Sequence, residues 1–380
     1  MSLIVDEHRQ YLSDRVRLQV FERAIAAAVK PGDVVIDLGA GTGILGLLAC
    51  RAGAARVYAI ESGGMIEVAR ALARANGFGD RVTFLRAHFS EAQLPEQADV
   101  LVADLIGRMG FEAGAFEAYA YMRPWLKPGA RIIPDTISIF AAPVQHEAAH
   151  ADVEFWRERV AGFLTDAVLA WSRNTGYPRA FEPADLLSQS PVSATFRPID
   201  SSPVLRVTGD AAITRPGCLH GVASWFSARM TANDPTVVMT NAPGANERIN
   251  RRNVFLPLHP ALDVNPGDRI EIDIRIRPRD IVVNWSVAVR TAAGLTCMKH
   301  STLGGMLLTR EDLRSQNPSS RPRLTARGLA RRTLMQLCDG ERSIVEIERE
   351  IRRRHPDLFT SDGGAQAFVA EVVAGYGAFD

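Results

Sequence analysis

The stretch VVIDLGAGTGILGLLACRAGAARVYAIE, residues 34–61, constrains this chain more than any other. It reads as a buried strand, a glycine turn, an apolar helix and a second strand that ends in an acid. Such a unit packs stably only inside a parallel sheet with helices on both faces. The turn is Gly39-Ala40-Gly41-Thr42-Gly43, followed by Ile44. A dinucleotide fingerprint spaces its glycines G-x-G-x-x-G and sets a pyrophosphate on the helix N-terminus. Here the third glycine comes one residue early. A P-loop is excluded because no Gly-Lys-Ser/Thr follows. Glu61, with Ser62 beside it, ends the second strand where a carboxylate can accept hydrogen bonds from ribose hydroxyls. A turn open to a ligand backbone, with a ribose-binding acid, suits a nucleoside without phosphates. The bland alternative is a turn that only lets a helix pack closely on the sheet.

The surrounding sequence extends this pattern. Short apolar runs (VVIDLGA, RVYAIE, RVTFLRA, ADVLVADL, RIIPD) alternate with helical stretches at 44–51, 65–76 and 112–126. That alternation predicts an α/β, Rossmann-like, doubly wound parallel sheet. Residues 15–29 read as an amphipathic helix ahead of it. After Pro134 the segments ISIFAAPV, VLRVTG, GVASWFSARM, RIEIDIRIRP and IVVNWSVAVRT alternate or are β-branched, between Pro and Gly turns. They predict an antiparallel β-barrel or sandwich. Residues 155–185 read as a helical and loop-like insertion. NPSSRPR, 317–323, reads as a linker, and short helices are expected at 326–338, 343–353 and 365–373. The expected domains are therefore 1–139, 140–316 with a helical insertion at about 160–187, and 317–380.

Composition removes several function classes. Forty-four Lys and Arg against 43 Asp and Glu leave a net charge of +1, which gives no global pull toward nucleic acid or anionic membrane. No apolar run approaches the ~18 residues of a membrane span. Cys50, Cys218, Cys297 and Cys338 are scattered, without Cys-x-x-Cys or a His cluster, so neither a metal site nor a disulfide framework is expected and a reducing cytoplasm fits.

The residues Asp37-Leu38-Gly39-Ala40-Gly41-Thr42-Gly43 resemble the first motif of class I S-adenosylmethionine methyltransferases. GTGILGLLACRAGAARVYAIE, the upstream YLSDRVR (11–17) and the downstream β domain are similar, more narrowly, to the protein arginine methyltransferases. That resemblance spans roughly residues 5–308. It implies S-adenosyl-L-methionine as cofactor, an upstream helix covering it, and a homodimer. By the same resemblance Arg17 pairs with the methionine carboxylate, and Tyr11 and Asp14 lie over the cofactor. Ser90 falls where the family has a glutamate for the adenine amino group, with His88 or Glu91 as substitutes. The insertion matches the family's dimerisation arm; VAGFLTDAVLAW is too apolar to face water alone.

The acceptor side departs from the family. Two family glutamates grip the substrate guanidinium; in ADLIGRMGFEAGAF (103–116) Asp104 takes the first place, Ala113 stands at the second and Glu112 precedes it. The family's Thr-His-Trp loop aligns near RINRRN (248–253), which has neither His nor Trp. Asp104, at the end of the fourth strand, is the first catalytic candidate, as substrate orienter or proton acceptor. Glu112 is the second, against the alternative of a helix N-terminal acid. The tail, 324–357, resembles the PqqD-like domains, winged-helix modules that recognise leader peptides and bind them as an added strand. A peptide or natural-product substrate, methylated on a guanidine or amine, follows from the two resemblances together. The alternatives are a small-molecule O- or N-methyltransferase with a structural tail, and a non-catalytic scaffold.

Overall fold

A computed structural model of the chain describes residues 4–200, 202–291, 294–315 and 317–377. Helix α1 (Ile4–Ser13) leads through Asp14 into α2 (Arg15–Ala28). The side chain of Asp14 accepts the Arg17 amide and starts α2 as its N-cap. Then follow β1 (Val34–Leu38), α3 (Ile44–Arg51), β2 (Arg56–Ile60), α4 (Met65–Ala75), β3 (Val82–Leu85), β4 (Ala98–Ala103), α5 (Ala115–Met122) and β5 (Leu126–Ile133). The five strands form one parallel sheet ordered β3-β2-β1-β4-β5. β1 is buried at every position, as a strand covered on both faces must be. The strand order reverses between β1 and β4, so the crevice beyond their C-terminal ends is where an open α/β sheet holds its ligand.

The second region is antiparallel. A first sheet contains β6 (Thr136–Val144), β9 (Tyr177–Arg179), β10 (Val192–Phe196), β12 (Gly217–Arg229), β13 (Val238–Thr240) and β14 (Asn253–Val264), in the order β10-β6-β12-β14-β9 with β13 on β12. A second contains β11 (Leu205–Ala212), β15 (Arg269–Arg277), β16 (Val282–Thr291) and β17 (Gly294–Ser301), ordered β11-β15-β16-β17. The alternation in RIEIDIRIR buries Ile270, Ile272, Ile274 and Ile276 and leaves charged residues on the other face. One apolar core runs from the parallel sheet into this region, joining Val100 and Val102 to Met109, Phe111, Ile137, Ile139 and Phe226.

Two expectations are corrected here. The helix expected from residue 112 begins at Ala115, because Gly114 adopts a left-handed φ of 89° at its N-cap. The insertion is not helical throughout. After α6 (Glu147–Glu154) it makes a two-residue-stranded hairpin, β7 (Arg159–Val160) with β8 (Phe163–Leu164), then the single turn α7 (Leu169–Ser172), and it returns to the sheet as β9. Phe163 and Leu164 at the hairpin are 74% and 69% exposed.

Residues up to 306 form one compact unit and those from 307 a second. In the second unit α8 (Arg310–Ser315) precedes α9 (Ala326–Leu337), α10 (Ile344–Arg354) and α11 (Asp362–Tyr376). The last three enclose a core of Leu334, Leu337, Ile347, Ile351, Phe368 and Val369. Ser343 and Glu346 form the expected capping box at the start of α10. No strand occurs among the described residues of this unit, so the expected wing and its strand-adding edge are not part of it.

Candidate active site

The glycine turn is built by its backbone. Gly39, Gly41 and Gly43 have φ of 67°, 54° and 74°, a region that L side chains rarely adopt. A Cβ on Gly43 would stand 2.9 Å from that of Ala69, and one on Gly41 would stand 2.5 Å from the ring of His8. The first approach lets α4 close on the turn; the second brings α1 across it, while the stretch expected as one covering helix breaks at Asp14 into α1 and α2. His8 itself was not legible as a site residue, because nothing in a charged N-terminus marks one histidine.

Two carboxylates face this turn. Glu61 accepts the amides of Gly41 (3.0 Å) and Gly63 (2.7 Å). Asp37, fully buried, accepts the Gly46 amide at 2.8 Å with Oδ2, while its Oδ1 has no partner. Burial raises the Asp37 pKa to about 7, against the lowering pull of the Gly46 amide, and the nearby Glu61 charge adds to the rise. Acids so placed repel a pyrophosphate and accept hydrogen bonds from hydroxyl or amino donors. A buried oxygen without a partner costs stability unless a ligand donor meets it. The turn thus fits a nucleoside with donors and no phosphate, and the residues present suit S-adenosylmethionine in this respect. Ser62 is exposed. Ser90 is exposed as well and bonds to Nδ1 of its neighbour His88 at 2.7 Å; neither serine bonds to the turn or its acids.

Arg17, Tyr11 and Asp104 come together as a second group. The Arg17 guanidinium is buried, with Nε 2.5 Å from Asp104 Oδ2 and Nη1 3.3 Å from the Tyr11 carbonyl oxygen. It lies over the rings of Tyr11 and Phe21, at 5.7 and 5.2 Å from their centroids. Its Nη2 makes no hydrogen bond among the described residues and remains for an incoming anion such as a carboxylate. Both oxygens of Asp14 are taken up by backbone amides. One of its oxygens caps α2 and the other accepts the Asn250 amide at 2.7 Å, which ties the helix to the 248–253 loop.

Asp104 follows β4 directly and has a second cation beside it. Arg251 Nη2 is 3.3 Å from its Oδ2, and Arg251 Nη1 donates to the Gly107 carbonyl at 3.1 Å. Burial acts to raise the Asp104 pKa, but the charges of Arg17 and Arg251 outweigh it and hold the carboxyl below its usual range. Such a carboxylate is a poor proton acceptor at neutral pH and is better suited to holding charged groups in place. Glu112 is neither a helix N-terminal acid nor an open carboxylate. It accepts the amides of Arg108 (3.0 Å), Met109 (2.9 Å) and Phe111 (3.3 Å) and so folds the loop it stands in. Burial raises its pKa even against these amides. Gly107 permits the closure, since a Cβ there would fall 2.3 Å from the Glu112 carboxylate.

The 248–253 loop and the Asp104–Glu112 loop are locked together by Asn241. This fully buried amide donates to the Arg108 carbonyl (2.9 Å) and the Arg252 carbonyl (3.2 Å) and accepts the Phe226 amide (2.9 Å). Asn253 braces it in turn, donating to the Asn241 carbonyl at 2.6 Å. Arg251 and Asn241 escaped sequence reasoning. One arginine among 248, 251 and 252 has no distinguishing pattern, and a buried asparagine is recognisable only from the loops it joins.

Comparison with known proteins agrees with this geometry. Residues 15–111 match a family model described as ribosomal protein L11 methyltransferase (PrmA). The chain is 28% identical over 324 residues to protein arginine N-methyltransferase 6 of Xenopus laevis, covering 79% of this chain and 93% of that one. Its fold is similar to that of Arabidopsis thaliana protein arginine methyltransferase 10, with TM-score 0.66 and 21% identity over 78% of this chain and 97% of the other. It is also similar to a chain of the Trypanosoma brucei PRMT1 enzyme-prozyme heterotetrameric complex with AdoHcy, with TM-score 0.69 and 20% identity over 77% and 96%. In sequence and fold the chain is arginine-methyltransferase-like.

Proposed function

We propose that this chain is an S-adenosylmethionine-dependent methyltransferase that transfers to a nitrogen, guanidine or amine, of a peptide or natural-product substrate. One observation carries the cofactor reading. Asp37 and Glu61 face a left-handed glycine turn, and Asp37 Oδ1 is buried without a partner. When bound, S-adenosylmethionine supplies a sulfonium methyl that an acceptor lone pair takes by in-line displacement.

The chain's own residues bind, orient and exclude water. Gly39, Gly41 and Gly43 give the ligand close access to the backbone, and Glu61 and Asp37 accept from its hydroxyl and amino donors. Arg17, held by Asp104 and the Tyr11 carbonyl, keeps Nη2 for the methionine carboxylate. Helix α1, with His8 at Gly41, covers the turn. Asp104 holds Arg17 and Arg251 in place at the acceptor side, where near-attack alignment contributes to the acceleration. Dimerisation through the 160–187 insertion would cover exposed Phe163 and Leu164. The four free cysteines fit a cytoplasmic protein, and no helix among the described residues is long and apolar enough to cross a membrane. The tail's likeness to PqqD-like domains favours a peptide substrate, captured on its helices since it offers no strand edge.

Calorimetric titration of the full chain with S-adenosylhomocysteine tests this reading. Micromolar binding is expected. Absence of binding would leave the non-catalytic scaffold as the better account of the fold.

A further inference from the structure

The acceptor side of the site holds an unusual balance of charge. Asp104, 9% exposed at its side chain, is flanked by two guanidinia, Arg17 at 2.5 Å and Arg251 at 3.3 Å. Glu112, the other carboxylate of this loop, is spent on three backbone amides. No carboxylate here is left open to a cation coming from outside.

The second cation is also fixed. Arg251 is 15% exposed at its side chain and donates to both Asp104 and the Gly107 carbonyl. Its loop is pinned on one side by the Asn250 amide on Asp14 and on the other by Asn241, which grips the Arg108 and Arg252 carbonyls. A side chain anchored at both ends of its loop is a permanent part of the wall and not a plug that swings aside.

We propose that Arg251 determines the acceptor class: its guanidinium occupies the place on Asp104 that a cationic acceptor would need, so the methyl goes to a nitrogen that arrives uncharged. The inference rests on the methyltransferase reading above and narrows its guanidine-or-amine acceptor to a neutral amine or ring nitrogen. Two physical arguments support it. A guanidinium stays charged at any pH a protein tolerates, so it enters only where a carboxylate is open to it, and here Asp104 already carries Arg17 and Arg251. An amine, by contrast, loses its proton more easily beside fixed positive charge. Its lone pair then becomes available without a protein base, which this site lacks, since both oxygens of Asp104 face guanidinia.

The test uses full-length protein saturated with S-adenosylhomocysteine and titrated calorimetrically with N-acetyl-L-argininamide, a neutral-backbone guanidinium probe. The wild type is expected to show no binding up to ~10 mM probe. Arg251→Ala is expected to bind the probe at least tenfold more tightly, and Arg251→Ala/Asp104→Asn to lose that gain. Arg251→Lys, which keeps the charge, should remain closed. Arg251→Gln, which keeps a donor for the Gly107 carbonyl, stands in should the alanine variant not fold. A gain of guanidinium binding is a readout that a merely structural residue would not produce. Sub-millimolar probe binding by the wild type, or no gain in a folded variant that still binds S-adenosylhomocysteine, overturns the assignment. Failure of every protein, wild type included, to bind S-adenosylhomocysteine would instead overturn the methyltransferase reading beneath it.

Discussion

The two ends of the crevice use their acids differently. At the glycine turn Glu61 accepts the Gly41 and Gly63 amides and Asp37 the Gly46 amide, and Asp37 Oδ1 is left buried and unpaired. At the acceptor side Asp104 and Glu112 turn their oxygens inward, onto guanidinia and loop amides. The first arrangement stores a demand for a hydrogen-bond donor, which a ligand can meet. The second is satisfied before any ligand arrives, so it shapes and charges the cavity without asking for a cation. Both ends use an acid to hold loop amides, and the difference lies in the second acid: Asp37 keeps a buried oxygen without a partner, whereas Asp104 faces two guanidinia.

The largest expected effect that would break this comparison is in the pH dependence of Asp37. Its carboxyl titrates near 3.8 in the unfolded chain and at about 7 in the folded protein. Between those values the folded state binds the extra proton, so stability is greatest at the acidic side and falls as pH rises through the window. The loss is at most on the order of 4 kcal/mol. Denaturant titrations from pH 4 to pH 7.5 should show this slope in the difference between the wild type and Asp37→Asn, which cancels the opposite contribution of His300, whose pKa burial lowers to about 4. A wild type whose stability relative to Asp37→Asn does not fall with pH would mean that Asp37 is not held in want of a donor.

Next in size is the binding end's other acid. Glu61→Ala removes the acceptor for ribose hydroxyls and should weaken S-adenosylhomocysteine by about 1.5–3 kcal/mol, roughly ten- to hundredfold in Kd. Calorimetric affinity unchanged from wild type would remove Glu61 from the cofactor site.

The smallest effect belongs to the structural end and should be of the opposite kind. Glu112→Ala leaves the Arg108, Met109 and Phe111 amides without their acceptor, at a cost of about 2 kcal/mol in stability. Its S-adenosylhomocysteine affinity should stay within about twofold of wild type. A large affinity loss with unchanged melting temperature would place Glu112 at the ligand and erase the contrast between the two ends.

Legibility in the sequence followed the same division. Strands β1 to β4 lie within their predicted apolar runs, because burial writes itself as continuous hydrophobicity, whereas β5 starts at Leu126, five residues ahead of RIIPD, through a stretch that is largely exposed. The glycine turn and the two acids beside it were readable too, since their positions depend on spacing within one strand–turn–helix–strand unit. For Glu112, the second catalytic candidate, the alternative of a helix N-terminal acid fails because the left-handed Gly114 moves the helix start past it. The insertion was misread as helical because a hairpin with two residues in each strand is too short to show alternation.

The amino-acid sequence by itself therefore determined the doubly wound sheet, the antiparallel β region and the turn with its two acids, all of which arise from local periodicity and near-neighbour spacing. Only the tertiary structure decided what the acids of the acceptor side do. Arg17, Asp104 and Arg251 lie 87 and 147 residues apart in their pairings, and a carboxylate's role follows from the charges folded against it, which sequence spacing does not encode.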